Sequence, residues 1–203
     1  VIDGDQPIKI SFEVVSEDED YHFTDPIVYG GTVKDIDTAE LVPSLGVSPI
    51  VKEGSSDLVT VSLSLSSKPT KDVNVAISVT DDTEIKINKK TMKFTPDHWD
   101  MSQDLLVSSV DDSIVDGDIK SKVVLKMTSA DKNFNDVTKE IEFTTVDNDV
   151  AGFVVNSNAA SFPENSGSTT TMTVALLAQP LADVKVTVAS SDATELAVTS
   201  ANT

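Results

Sequence analysis

Hydrophobic and polar residues alternate along much of this chain with a period of two. Between residues 57 and 66, apolar side chains occupy every second position, with serine or threonine between them. The same alternation returns at 72–80, at 123–127 and at 141–143. It is typical of antiparallel strands that turn one face to a core and the other to water. No apolar run keeps helical spacing beyond two turns, so the pattern predicts a protein with almost no helix.

Turn-forming residues separate these alternating stretches at short intervals. Examples are Gly54-Ser55-Ser56, Lys68-Pro69 and Asp116-Gly117-Asp118. About seven short strands in about 110 residues, punctuated in this way, predict two antiparallel sheets packed as a sandwich of the immunoglobulin type.

The sequence also repeats itself. Residues 1–5 match 114–118, and 16–21 match 129–134 at the same offset of 113, which aligns Tyr21 with Phe134 and predicts a shared core contact. In the other direction, six positions match at a constant offset of 111, beginning with Glu53 on Glu164. Internal repeats of this kind indicate a tandem array of one structural unit.

The matches divide the chain into one complete repeat and two partial ones. Residues 41–150 form the complete repeat, 1–40 the C-terminal half of a preceding repeat, and 151–203 the N-terminal half of a following one. Positions 93–113 have no counterpart at either end. The predicted fold is therefore all-β, made of tandem antiparallel sandwich repeats.

The charge of the chain excludes several functions. It carries 34 acidic residues against 15 lysines and no arginine, for a net charge of −19 and a pI of about 4.2. Nucleic-acid binding requires clustered cations, so no nucleic-acid partner is expected. The chain has no cysteine, which excludes disulfides and thiolate metal sites. No apolar stretch approaches the roughly 18 residues of a membrane span, so direct membrane insertion is not expected either.

The acidic residues concentrate where strands are predicted to end. Because alternate strands of a sandwich end at the same pole, these carboxylates are expected to meet there. Asp and Asn also populate ordinary turns, but clusters that recur in register between repeats favour a bound cation. Hard oxygen ligands in irregular loops suit Ca²⁺, which takes six to eight oxygens. The spacing is not that of an EF-hand, because Ile114 falls at a ligand position and the terminal Glu is missing.

Several motifs resemble Calx-beta-type repeats. They are Glu53-Gly54, Phe94-Thr95-Pro96 with Trp99, Val110-Asp111-Asp112, and Asp147-Asn148-Asp149-Val150-Ala151-Gly152. Such repeats occur in tandem in bacterial surface adhesins, in animal matrix and cell-aggregation proteins, and in sodium/calcium exchangers. The exchanger type has an acid where this chain has Asn148. The resemblance implies a calcium site formed by these ligands: Glu53, Asp81, Asp111, Asp112, Asp116, Asp147 and Asp149.

Catalytic motifs are missing from the sequence. There are only two histidines, His22 and His98, and no nucleophile elbow, P-loop or dinucleotide-binding glycine pattern. The chain is therefore not expected to be an enzyme.

These observations predict a calcium-stiffened structural segment of an extracellular adhesin, matrix protein or fibre at the cell surface. Its expected partners are neighbouring repeats or other copies of the chain, which could join head to tail by completing each other's half-sandwiches. Two alternatives are a calcium-sensing regulatory module and a carbohydrate-binding adhesin domain. The latter would recognise a glycan or cell-surface ligand through Trp99, Tyr21 or Tyr29.

Overall fold

The computed structural model describes residues 1–22, 25–157, 161 and 167–199. Regular structure in this part of the chain is almost entirely β, with two single-turn 3₁₀ helices at Glu19–Tyr21 and Lys132–Phe134. The strands are β1 Gln6–Phe12, β2 Ile27–Val33, β3 Leu41–Leu45, β4 Ile50–Lys52, β5 Val59–Leu65, β6 Val73–Val79, β7 Ile85–Ile87, β8 Thr91–Phe94, β9 Gln103–Ser109, β10 Ile119–Ser129, β11 Thr138–Val146, β12 Phe153–Ser157 and β13 Met172–Leu176.

Strands β3 to β11 build a two-sheet sandwich. One sheet has the order β4-β11-β10-β6-β8 and the other the order β3-β5-β9-β7. All pairs are antiparallel except β4 with β11, which run parallel. The predicted all-β, immunoglobulin-like sandwich is confirmed. It contains nine strands rather than about seven, because β4 and β7 are short segments of three residues each.

The period of two gives the sandwich its core. Val59, Val61, Leu63 and Leu65 are buried, while the serine and threonine residues between them lie toward solvent. The largest fully buried side chains include three phenylalanines from different parts of the repeat, which are Phe94, Phe134 and Phe143. Residues from both sheets belong to one apolar cluster, as the alternation predicts.

Two further hairpins, each a two-stranded sheet of its own, flank this sandwich and reproduce parts of it. In the first, β1 pairs with β2 in the register that β10 and β11 use, so that Gln6↔Val33 corresponds to Ile119↔Thr145. In the second, β12 pairs with β13 as β3 pairs with β5. The backbone thus repeats where the sequence does. The exact division at 1–40, 41–150 and 151–203 stays a prediction.

The shared core contact predicted for Tyr21 and Phe134 is found in only one repeat. Phe134 is fully buried, whereas Tyr21 is 63 % exposed. The reason is that every residue of β1 and β2 is exposed, so no second sheet covers the hairpin beside Tyr21.

The apolar alternation at Val184, Val186 and Val188 does not give a strand among the described residues, although its counterpart in the central repeat is β6. Strand β6 is held between β10 and β8. No described strand takes either place beside 184–188, and without a neighbouring strand the segment forms no ladder of hydrogen bonds.

A membrane-crossing helix is not found in the described part of the chain, since none of its helices is long and apolar enough.

Candidate metal centre

Three of the predicted ligands meet at one end of the sandwich. Glu53, Asp147 and Asp149 each offer a carboxylate oxygen, and these oxygens lie within 4.8 Å of one another. The parallel pairing of β4 with β11 brings them together. Lys52 is paired with Val146, and the backbone N–H of Glu53 donates to the Val146 carbonyl at 3.1 Å. The residues that follow these two strands therefore start side by side.

The cluster contains buried oxygens with no hydrogen-bond partner. Glu53 is only 6 % exposed. Its Oε2 atom and the Oδ2 atom of Asp149 are both buried and unpartnered. Such oxygens are costly in a folded protein unless a proton or a cation compensates them.

The electrostatics of the cluster agree with this geometry. Burial raises the pKa of the Glu53 carboxyl, and the negative charges of Asp112 and Asp147 raise it further. A hydrogen bond from the Asn148 backbone lowers this pKa but does not outweigh them. Burial, followed by the charge of Asp147, also raises the pKa of Asp149. The two carboxyls thus hold protons more tightly than usual, first because they are buried and second because negative charges lie close by.

Asp147 is the fixed member of the cluster. Its Oδ1 accepts from the Asp149 backbone N–H at 2.7 Å, and its Oδ2 accepts from the Gly117 N–H at 2.8 Å. These bonds lower the pKa of Asp147 and keep it ionised. Asp35 of the first hairpin accepts equivalent bonds from Asp37 and Gly4, so this clamp recurs in the preceding repeat.

The double aspartate lies beside the cluster. Asp111 Oδ1 accepts from the side-chain amide of Asn148 at 3.1 Å, and Asp112 Oδ1 accepts from the Ile114 N–H at 2.7 Å. Asn148 stands where the exchanger-type repeat has an acid. Its neutral amide adds no charge to the cluster, and its hydrogen bond orients Asp111.

The two remaining predicted ligands, Asp81 and Asp116, do not belong to the three-carboxylate group either. Asp81 Oδ1 accepts both the N–H and the hydroxyl of Thr83, at 3.0 and 2.5 Å, which is an ordinary turn contact. Asp116 acts on the cluster through its charge, which contributes to the raised pKa of Asp149. The metal role of all seven residues stays a prediction.

Glu84 is a buried acid that the sequence interpretation left out. It is 4 % exposed, and burial followed by the charges of Asp116 and Asp81 raises its pKa. One sequence signal could have identified it, because Glu84 matches Glu195 at the same offset that relates Glu53 to Glu164.

Gly54 brings the backbone close to the cluster and supports a first prediction. Its φ is +65°, and a Cβ atom there would lie 2.6 Å from Asn148 Nδ2. Gly117 has a similar φ of +80° but no atom within 4 Å of its Cβ position. We expect Gly117→Ala to lower the free energy of unfolding by about 1 kcal/mol through backbone strain. Gly54→Ala should cost about 2 kcal/mol, because a steric clash is added to that strain.

Urea denaturation of both variants measures the difference. Equal losses for the two glycines would show that Asn148 moves away freely, and that the contact between Gly54 and Asn148 is loose.

The loops that carry the cluster also hold the following hairpin. The Gln179 N–H donates to the Ser113 carbonyl at 2.6 Å, and Ile114 forms an isolated parallel bridge with Gln179. On the other side, the Leu177 N–H donates to the Gly152 carbonyl at 2.9 Å. Ser113, which follows Asp112, and Gly152, which lies three residues after Asp149, therefore both hydrogen-bond to the same short segment, 177–179.

In the part of the chain that the structure describes, the aromatic residues considered for carbohydrate binding make no ring contact with one another. Trp99 is half-buried and packs against the core of the sandwich. Tyr21 and Tyr29 are 63 % and 64 % exposed, and Tyr29 meets Phe12 edge to face at 5.9 Å.

Comparison with known proteins does not assign a family. No family model matches the chain, and no curated protein matches it. Solved structures with partial similarity include the periplasmic chaperone SfaE, with a TM-score of 0.41 and 12 % identity over 53 % of this chain and 57 % of that one. SSP-19, an MSP-domain protein like family member in Caenorhabditis elegans, has a TM-score of 0.35 and 14 % identity over 48 % of this chain and 94 % of that one. The fold assignment therefore rests on the sheets of the chain itself, and the relation to Calx-beta repeats stays a prediction.

Proposed function

We propose that this chain is a calcium-stiffened structural segment of an extracellular adhesin, matrix protein or fibre. Glu53, Asp147 and Asp149 bind the ion at the end of the central sandwich, next to the contact with the following hairpin. The observation that carries the proposal is the pair of buried, unpartnered oxygens on Glu53 and Asp149, both in the same three-carboxylate group.

The ligands suit calcium better than other common ions. Calcium binds oxygens at about 2.3–2.6 Å, so two ligands of one ion can be up to about 5 Å apart, which accommodates the 4.8 Å spread. Magnesium retains most of its water and rarely uses several carboxylates. Asp111, Asp112, Asp116 and Glu84 provide further oxygens and negative charge around the three central ligands.

Stiffening follows from the position of the ion. A bound cation removes the repulsion among the carboxylates and fixes the loops at 111–118 and 147–152. In those loops, the carbonyls of Ser113 and Gly152 accept hydrogen bonds from the backbone N–H groups of Gln179 and Leu177. Fixing them restricts the hinge between consecutive repeats, which is the property a load-bearing extracellular segment requires. The role we infer is structural, not enzymatic.

Calcium titration of the demetallated chain tests the proposal. Isothermal titration calorimetry should detect binding, and calcium at ten times Kd should stabilise the fold by about 1.4 kcal/mol. Glu53→Gln keeps the size of the side chain but removes its charge, and should weaken binding at least tenfold. Asp57→Asn removes an equal charge from an exposed loop position and should leave the affinity nearly unchanged.

An identical melting temperature in calcium and in chelator, together with no binding heat, would refute the proposed ion site. The same titration followed by small-angle scattering addresses the alternative of a calcium sensor. A stiffened segment should keep its mean shape and lose flexibility, whereas a sensor should change shape at micromolar calcium.

A further inference from the structure

The outer face of the five-stranded sheet carries a groove that the proposed function does not use. We propose that it binds an acidic saccharide, a sugar chain whose carboxylate or sulfate groups are met by lysines. We call it the lysine groove; it is formed by Asn74 and Ala76 of β6, Thr91 and Lys93 of β8, and Thr128 of β10. None of these residues is a predicted cation ligand, so the groove and the ion site can fail independently.

The groove consists of two adjoining cavities. Their volumes are about 650 Å³ and about 620 Å³, and Asn74 and Thr128 line both. Thr128 lies opposite Asn74 in the register of β10 and β6, and Asn74 lies opposite Lys93 in the register of β6 and β8. The cavities therefore meet along one row of residues that crosses three strands. Each volume falls in the range of sites that hold small molecules.

The floor of the groove is made of short side chains. The outward positions of β6 are Asn74, Ala76 and Ser78, all exposed. Asn and Ala are depleted in strands, because β-branched and aromatic side chains pack better against cross-strand neighbours. Lys126 of β10 lies opposite Ala76 on one side, and Lys93 of β8 lies opposite Asn74 on the other. Short side chains on the middle strand between longer ones leave a trough, which the stability of the sheet does not require.

The charge of the groove is opposite to that of the whole chain. The two cavities are lined by Lys71, Lys89 and Lys93 against a single acid, Asp72, for a local net charge of +2. The chain as a whole carries −19. Lys93 is paired with Asp72 at 2.7 Å. Within the described residues, neither Lys71 nor Lys89 takes part in an ion pair. Two ammonium groups are thus available to a bound anion.

The lining suits a sugar better than a densely charged polymer. Asn74, Thr91 and Thr128 offer an amide and two hydroxyls, which both donate and accept hydrogen bonds, as sugar hydroxyls do. Nucleic acid carries one charge about every 1.7 Å. The acidic surface of this chain would repel it, since exposed charges act over about 8 Å at physiological salt. A sugar chain with acidic groups on only some of its residues avoids most of this repulsion.

Calorimetric titration in chelator tests the proposal without calcium. One arm uses an oligosaccharide of alternating glucuronate and N-acetylglucosamine, and the other a sulfated oligosaccharide of the same length. The unmodified chain should bind at least one of them at low ionic strength, and added salt should weaken the binding. The matching neutral sugar, carboxyl-reduced or desulfated, should not bind. No binding heat with either acidic sugar, or equal affinity for the neutral form, would overturn the proposal.

Three variants locate the binding. Ala76→Phe fills the floor at an exposed strand position that tolerates an aromatic residue, so the fold should persist while binding is lost. Lys89→Gln should raise Kd about threefold, the worth of one exposed ion pair. Lys139→Gln removes an equal charge from an exposed position of β11 outside both cavities and should leave Kd nearly unchanged.

Three results with these proteins would also refute the saccharide groove. The first is Ala76→Phe that binds as tightly as the unmodified chain. The second is equal weakening by Lys89→Gln and Lys139→Gln, which would indicate a general effect of charge. The third is polyglutamate binding as tightly as the acidic sugar, which would indicate a cationic patch with no preference for saccharide.

Discussion

Replacing Phe134 by alanine is expected to lower the free energy of unfolding by about 3–5 kcal/mol. Phe134 is fully buried at the end of a 3₁₀ turn and belongs to the core shared by both sheets. Its removal takes a large apolar surface from the core and leaves a cavity in a tightly packed interior. Because folded domains are only marginally stable, this loss is a large part of the total.

The repeat provides a matched control for this variant. Tyr21 occupies the same repeat position, also ends a 3₁₀ turn and is 63 % exposed. Tyr21→Ala should change the free energy of unfolding by no more than about 0.5 kcal/mol. Chemical denaturation followed by Trp99 fluorescence measures both. Similar losses at the two positions would mean that the hairpin of β1 and β2 has a covering layer of its own.

Replacing Asp131 by alanine is expected to cost about 3 kcal/mol. Asp131 is 8 % exposed, and its Oδ2 accepts the N–H and the hydroxyl of Thr70 at 2.7 and 2.8 Å. Its Oδ1 accepts the Asn133 N–H at 3.0 Å. Alanine leaves these donors without partners, and bonds to charged groups are worth about 1.5–3 kcal/mol each. The exposed repeat counterpart Asp18, which accepts one N–H from Asp20, should tolerate alanine with a loss of under about 1 kcal/mol.

The cost of Asp131→Ala should depend on pH. Burial favours the neutral carboxyl, but the bonds from Thr70 and Asn133 outweigh it and lower the pKa of Asp131 below its ordinary value of 3.8. The folded state therefore binds this proton less tightly than the unfolded state. The stabilisation is complete above pH 3.8 and is lost as the pH falls through the lowered pKa. Urea titrations at neutral and acidic pH should show the difference between wild type and Asp131→Ala shrink in acid, and a constant difference would contradict this.

The sequence determined the class of fold and the repeat. Apolar alternation can be recognised within a single strand, because successive side chains point to opposite faces of a sheet. In β5, the side chains that are buried are those that the alternation predicts. The repeat likewise appears in both sequence and backbone, since matching segments form hairpins with matching registers. The repeat extends to local contacts, since the hydrogen bond between Asp81 and Thr83 recurs between Asp192 and Thr194.

Only the tertiary structure decided which acids meet. Seven carboxylates were candidates, but convergence depends on how strands from distant parts of the chain pair. The parallel pairing of β4 with β11, which no local pattern announces, is what sets Glu53 beside Asp147 and Asp149. The burial of Glu84 and the exposure of Tyr21 were decided in the same way. Sequence periodicity assigns a face to a side chain, but burial depends on whether another layer covers that face, and that is a property of the assembled sheets.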